Sequence, residues 1–314
     1  QTALLPHPSR RLLLLFVLLP FVACQEKKDT VDWAKDRITS FWNFPMDKCP
    51  NKFNVSMPVK EYHIEHNKEF KFIGDKVAVL YEYGHGEWPY MEGIKDGTRD
   101  AKGKEIIVRW DPKKGGLPQN VNVKEHLATL GRQIKAKIPE GFNGPAILDV
   151  EEWRPMFDEN WSEKRVYQRA SRKLVQQKHP HITDKDKIDE LAKKQFNDAS
   201  KSLLTQSLRL GKMLRPKAKW SMYGFPLCNT DVGIKDGDLR CSYERHNDNL
   251  RWLYDEFDIL TPSIYLESSW LNPKYPKAAR YRYIYAILNE TRRVANWYAK
   301  PLPIVPFTKF EYNP

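Results

Sequence analysis

Short apolar runs rich in β-branched and aromatic residues recur along the chain and alternate with polar segments in which apolar positions return about every three to four residues. The runs cover residues 38–44, 76–83, 145–151, 219–225, 258–266 and 302–307, and each reads as a strand. The clearest helical pattern covers 184–214, where Ile188, Leu191, Phe196, Ala199, Leu203 and Leu210 recur near a 3.6-residue period. Thr183 can cap its start, and Pro216 lies just past its end. Residues 121–138 and 162–179 show the same two-faced pattern, the second through Val166, Leu174 and Val175. Strands alternating with helices of this size predict parallel βαβ units. With no glycine-rich nucleotide turn, a barrel is favoured over an open doubly wound sheet.

The run "PAILDVEEWRPMF" (145–157) ends in Asp149, Glu151 and Glu152. Successive strand side chains point to opposite faces, so Ile147, Asp149 and Glu151 share one face, and Leu148 and Val150 the other. In a barrel the second set packs under the helices and the first lines the interior, which brings both acids to the C-terminal rim where barrel enzymes place their chemistry. Two readings stay open at this point. Neighbouring carboxylates oppose each other's ionisation, so one can keep a proton and act as a general acid. Alternatively, Arg154 or lysines of the next loop neutralise the pair in salt bridges. Glu152 is expected on the outward face without a chemical role, Trp153 in packing, and His126 as a capping or core histidine.

Composition narrows the class. A 314-residue chain with 41% hydrophobic residues is long enough for a substantial core, and one domain over 30–314 is the simplest division because no linker or repeat interrupts it. The 52 Lys and Arg against 40 Asp and Glu give a net charge of +12, which suits a polyanionic partner or serves solubility alone. Residues 9–24 place two arginines before an apolar stretch and small residues, the layout of a secretory signal peptide over 1–24, too short for a comfortable membrane span. Secretion, without stable membrane insertion, is therefore expected. Asn54, Asn160 and Asn289 each open an N-x-Ser/Thr sequon and are the expected glycosylation sites. Cys228 and Cys241 flank a polar loop and form the natural local disulfide, which leaves Cys49 unpaired once Cys24 is removed. Cysteine spacing does not suit zinc, and neither a metal nor another cofactor is expected.

The phrase "DVEEWRP", followed by Asn160-Trp161, closely resembles the signature of the hyaluronidase family of glycoside hydrolases, animal and venom enzymes that cleave hyaluronan and often chondroitin. "FWNFPMDKC" (41–49), "GGLPQN" (115–120), "MYGFPLC" (222–228) and "PSIYL" (262–266) resemble further family motifs in the same order. The resemblance implies an α/β fold, a distorted TIM-like barrel with fewer than eight strands. It also implies retaining cleavage of N-acetylhexosamine β-1,4 linkages, in which the substrate's own acetamido oxygen attacks the anomeric carbon.

Position by position, the resemblance makes Glu151 the proton donor and Asp149 the residue that shares its proton and steadies the acetamido group. Tyr223 and Tyr265 match tyrosines that hold the sugar, Arg154 and Ser263 fall at active-site positions, and Tyr81 fits another aromatic of the cleft. The expected partner is hyaluronan, with chondroitin as a second candidate, bound by a monomer that does not recognise nucleic acid; a lysosomal location is an alternative to secretion. Two departures stand out. Leu227 occupies a position that is often acidic in relatives, and the family's last strand with its active-site Trp, and the following helix with the cysteine that pairs with Cys49, have no counterpart. The resemblance therefore implies a fragment lacking its first methionine and C-terminal portion. Non-catalytic polysaccharide binding or cell adhesion is the competing class, and a chitinase-like barrel is a third; the intact acid pair favours hydrolysis.

Overall fold

The computed structural model describes residues 38–46, 48–55, 57–268 and 276–312. The expected signal segment and Cys24 lie outside them. Strands β1 (Phe41–Trp42), β2 (Glu65–His66), β3 (Ala78–Tyr81), β4 (Tyr90–Ile94), β5 (Arg109–Lys113), β6 (Pro145–Asp149) and β7 (Lys219–Met222) are combined with helices α1 (Cys49–Phe53), α2 (Val123–Lys137), α3 (Arg165–Lys178), α4 (Lys185–Leu214), α5 (Glu244–Asn249), α6 (Arg251–Tyr254) and α7 (Lys277–Ala295). The central sheet is parallel in the order β3-β6-β7, connected through α2 and then α3 and α4.

Two predicted strands are realised differently. Residues 258–266 and 302–307 extend the sheet through isolated bridges, Phe225 to Thr261, Leu260 to Ile304 and Ser263 to Phe307. Pro262, Pro303 and Pro306 explain the broken ladders, because each lacks the N–H a continuous pairing needs. Backbone bonds still tie the segments, with Leu260 N–H donating to Pro303 O at 2.9 Å and Val305 N–H to Leu260 O at 2.8 Å. Among the described residues the ladders do not close into a hydrogen-bonded ring. The first predicted strand shortens to β1, which among the described residues pairs with β2 alone, and the antiparallel β4-β5 hairpin was not foreseen from the polar 90–113 segment.

Strand parity builds two cores. Val77, Val79, Ile147 and Ile259 pack with Phe41, Tyr223, Val305 and Phe307 on the inner face. Ala78, Leu80, Ala146, Leu148, Trp220 and Met222 face outward against helical residues including Leu130, Ile134, Phe196, Leu203 and Leu208. A fully buried aromatic such as Trp220 in this layer is worth about 3–5 kcal/mol against truncation to Ala. Gly211 of α4 permits the close approach, since a Cβ there would lie 2.8 Å from the Trp220 ring.

The helices begin where side chains satisfy their first N–H groups. Asn122 accepts from Glu125 N–H at α2, while Asp184, and not the expected Thr183, accepts from Asp186 and Lys187 N–H at α4. Arg215 is buried just beyond α4, where its Nε donates to Ile138 O at 2.7 Å and so secures the end of α2. A pocket of about 590 Å³ lined by Lys135, Ile138, Leu214 and Arg215 opens there, at the sheet edge opposite the acids. Among the described residues no helix is long and apolar enough to cross a membrane.

Candidate active site

Parallel register aligns the chemistry. Tyr81 pairs with Asp149 across β3 and β6, and Tyr223 N–H donates to Leu148 O at 3.0 Å, so three predicted site residues occupy the C-terminal edge of adjacent strands. The extended 258–266 segment adds Ser263 and Tyr265. The Tyr223 hydroxyl donates to Ser263 Oγ at 3.2 Å, and the rings of Tyr223 and Tyr265 lie 6.1 Å apart. Lys309 places its Nζ 4.8 Å over the Tyr265 ring.

Asp149 is 4% exposed, and among the described residues its Oδ1 has no hydrogen-bond partner. A buried, incompletely bonded carboxylate is costly, so the proton is retained. Burial first, then the charges of Glu151 and Glu82, push the Asp149 pKa up to about 8. Asp149 stands two residues after Ile147, which packs on the inner face, and its charge raises the pKa values of Tyr81 and Tyr265.

Glu151 departs from that expectation. Strand β6 stops at Asp149, so period-two alternation no longer fixes the following residues, and Glu151 reaches solvent at the rim. Protein packed around its other sides still limits hydration: burial raises its pKa, with Lys164 lowering it, Glu152 raising it and Lys309 lowering it. Its charge is felt by the tyrosines. Burial and then Asp149, Tyr265 and Glu151 raise Tyr81 to about 12, while Tyr223 and Tyr265 are raised mainly by burial, with Glu151 contributing to both. The rim thus presents a protonated buried acid, an accessible acid and three neutral phenols, a surface able to donate a proton and to seat a sugar ring.

Arg154 is engaged elsewhere. Its guanidinium stacks 4.3 Å from the Trp161 ring, and Nη1 donates to Glu159 O at 2.8 Å. It shapes the loop after the acids and, among the described residues, forms no ion pair with Asp149 or Glu151; of the counter-charges expected there, it is the next-loop Lys164 that acts on Glu151 and lowers its pKa. Glu152 is not turned idly outward, because the hydroxyls of Tyr83 and Tyr167 both donate to its carboxylate. His126 is a core histidine: Nδ1 accepts from Glu87 N–H at 2.9 Å, Nε2 contacts Ser207 Oγ at 3.0 Å, and burial pushes its pKa down to about 4.

Sequence reasoning passed over Glu82, Lys164 and Lys309. Glu82 directly follows Tyr81 in "VLYEY", which was the available signal, but the lysines come near the acids only through folding.

The sequons separate by burial. Asn160 is fully buried; its Oδ1 accepts from Arg154 N–H at 2.8 Å, and its Nδ2 donates to Arg154 O at 3.0 Å and Met156 O at 2.9 Å. A glycan is incompatible with that folded environment, so the expectation at Asn160 is corrected. Asn54 is exposed at the end of α1, and Asn289 is exposed on α7 while Thr291 of its sequon is buried. Cys228 and Cys241 are bonded with Cα atoms 5.5 Å apart, and Cys49 is free among the described residues.

Residues 30–314 match the hyaluronidase family profile. The chain is 36% identical over 308 residues to a chondroitin hydrolase of Caenorhabditis elegans, covering 96% of this chain and 63% of that protein. It is 32% identical over 277 residues to mouse (Mus musculus) hyaluronidase-1, covering 87% of this chain and 56% of the relative. The chain thus spans less than two thirds of the length of these relatives. The crystal structure of bee venom hyaluronidase in complex with a hyaluronic acid tetramer superposes with a TM-score of 0.73 at 26% identity, over 88% of this chain and 81% of the bee protein. That likeness identifies the sheet and helices as a TIM-like barrel. Profile, curated relatives and fold agree with the acid-and-tyrosine rim, and the chain belongs to the hyaluronidase family of glycoside hydrolases.

Proposed function

We propose that this protein is a secreted, monomeric endo-β-N-acetylhexosaminidase that hydrolyses β-1,4 linkages of hyaluronan or chondroitin with retention of configuration. The observation that carries this reading is the juxtaposition of buried Asp149, accessible Glu151 and the phenols of Tyr81, Tyr223 and Tyr265 on one sheet edge. Glu151 protonates the departing glycosidic oxygen while the acetamido carbonyl oxygen attacks the anomeric carbon; the same carboxylate then takes a proton from the water that opens the cyclic intermediate. Asp149 shares a proton with Glu151 and holds the acetamide in line. The two acids and Glu82 titrate as a coupled group, and what the reaction requires is that a proton remain there near neutral pH.

The net charge of +12, with Lys309 beside Tyr265, favours approach of a polyanionic chain. Chondroitin and hyaluronan deserve equal initial concentration in an assay, because the nematode relative is a chondroitin hydrolase and the mouse relative a hyaluronidase. Reducing ends released from each polymer report turnover, and proton NMR of the first products reports the anomer. Glu151→Gln is expected to lower turnover by about 10²–10⁴-fold. Digestion by that variant at the wild-type rate refutes the assignment.

A further inference from the structure

We propose that Glu82 is a positioning residue for Glu151: its carboxylate takes the backbone N–H groups, and the Lys164 ammonium the backbone carbonyls, of Glu151 and Glu152. The assignment rests on the reading of Glu151 as the acid/base and adds what holds that residue in place. Glu82 lies one residue beyond β3, where its own N–H donates to Asp149 O at 3.0 Å, so the pairing of β3 with β6 delivers it beside the acids. Its Oε1 accepts the N–H groups of Glu151 at 3.0 Å and Glu152 at 3.2 Å. Lys164 Nζ donates to Glu151 O at 2.5 Å and Glu152 O at 3.0 Å.

This double grip answers a mechanical problem. Glu151 stands past the end of β6, outside the ladder, on a turn that exposes its side chain. An acid catalyst misplaced by about 1 Å loses much of its effect, so the missing ladder bonds must be supplied by side chains. Glu152 anchors the same turn through Tyr83 and Tyr167, and Tyr167 is in turn fixed by accepting Met91 N–H at 3.1 Å. Glu82 is itself 6% exposed, faces Asp149, Glu151, Glu152, Lys164, Tyr83 and Tyr167, and is raised to about 7 by burial despite the stabilising N–H bonds.

Three variants decide the matter when kcat, KM and the pH profile are measured on hyaluronan and chondroitin beside a melting curve. Glu82→Ala removes the acceptor and is expected to lower kcat by about 30-fold or more with KM within about threefold, the signature of an interaction used in the transition state. Glu82→Gln keeps an oxygen for the two N–H groups and recovers at least about tenfold of that loss, with its alkaline limb moved to lower pH because a negative charge beside the remaining acids is gone. A folded Glu82→Ala enzyme with kcat within about threefold of wild type overturns the assignment, as does a Glu82→Gln profile with an unmoved alkaline limb. If Glu82→Ala does not fold, that limb decides alone. Glu151→Gln serves as the reference: full activity there removes the acid/base reading itself, whereas loss there with normal turnover in both Glu82 variants removes only the positioning role.

Discussion

Replacing Asp149 by Asn tests the electrostatics of the rim without depending on any substrate. In the unfolded chain this carboxyl ionises near 3.8, and in the folded protein near about 8. Between those values the folded state holds a proton that unfolding releases, so rising pH favours unfolding and stability falls across the window. Below it both states are protonated and the group contributes no difference; above it the full penalty of a buried, underbonded carboxylate remains. At about 1.4 kcal/mol per unit the shift sets a ceiling of about 5–6 kcal/mol, and about 2–3 kcal/mol is expected for Asp149 alone because the proton is shared with Glu151 and Glu82.

Asp149→Asn is nearly the same shape and carries no titrating proton, so subtracting its stability curve from that of the wild type leaves the titration of this group together with its coupling to Glu151 and Glu82. Urea unfolding followed by tryptophan fluorescence from pH 4 to 8.5 provides the comparison, with melting temperatures in parallel. Relative to wild type, the variant is expected to gain about 2–3 kcal/mol between the acid and alkaline ends, equivalent to about 3–5 °C for a chain of this length. Other raised carboxyls, including Glu159 at about 7, persist in both proteins and cancel. Parallel curves, or a variant that gains toward acid pH, refute the claim that Asp149 is held protonated by its surroundings. The same variant is expected to digest polysaccharide poorly, which separates stability gained from function lost.

Two further outcomes follow from the loops around the site. Asn160→Ala strips three bonds from the backbone of Arg154 and Met156 and is expected to cost about 2–4 kcal/mol in urea unfolding; glycopeptide mass spectrometry of the protein expressed through a secretory route is expected to find that asparagine unmodified, and a glycan on it in folded protein contradicts the burial. Paired Cys228→Ser and Cys241→Ser substitutions open a link spanning a sequence separation of 13 and are expected to cost about 2–4 kcal/mol. Equal stability of that variant and wild type removes the claim that the bridge stabilises the fold.

Local rules written in the chain determined much of this molecule. Alternation fixed which residues of 76–80 and 145–149 face the inner core and which face the helices, because a pleated strand allows only two directions. The apolar stripe of α4 located its long helix, although the cap fell on Asp184, whose side-chain oxygen reaches two N–H groups. Motif order carried the tyrosines and Asp149 to one edge. Tertiary structure decided what lies beyond periodicity. The prolines of 258–266 and 302–307 turned expected ladders into bridges, and the end of β6 at Asp149 released Glu151 to the rim. Glu82 meets Glu151 across 69 residues of sequence, and Asn160, read locally as a sequon, became a buried clasp for its own loop. Such pairings depend on which strands become neighbours and which loops are covered, and those are properties of the assembled packing that no local pattern of side chains records.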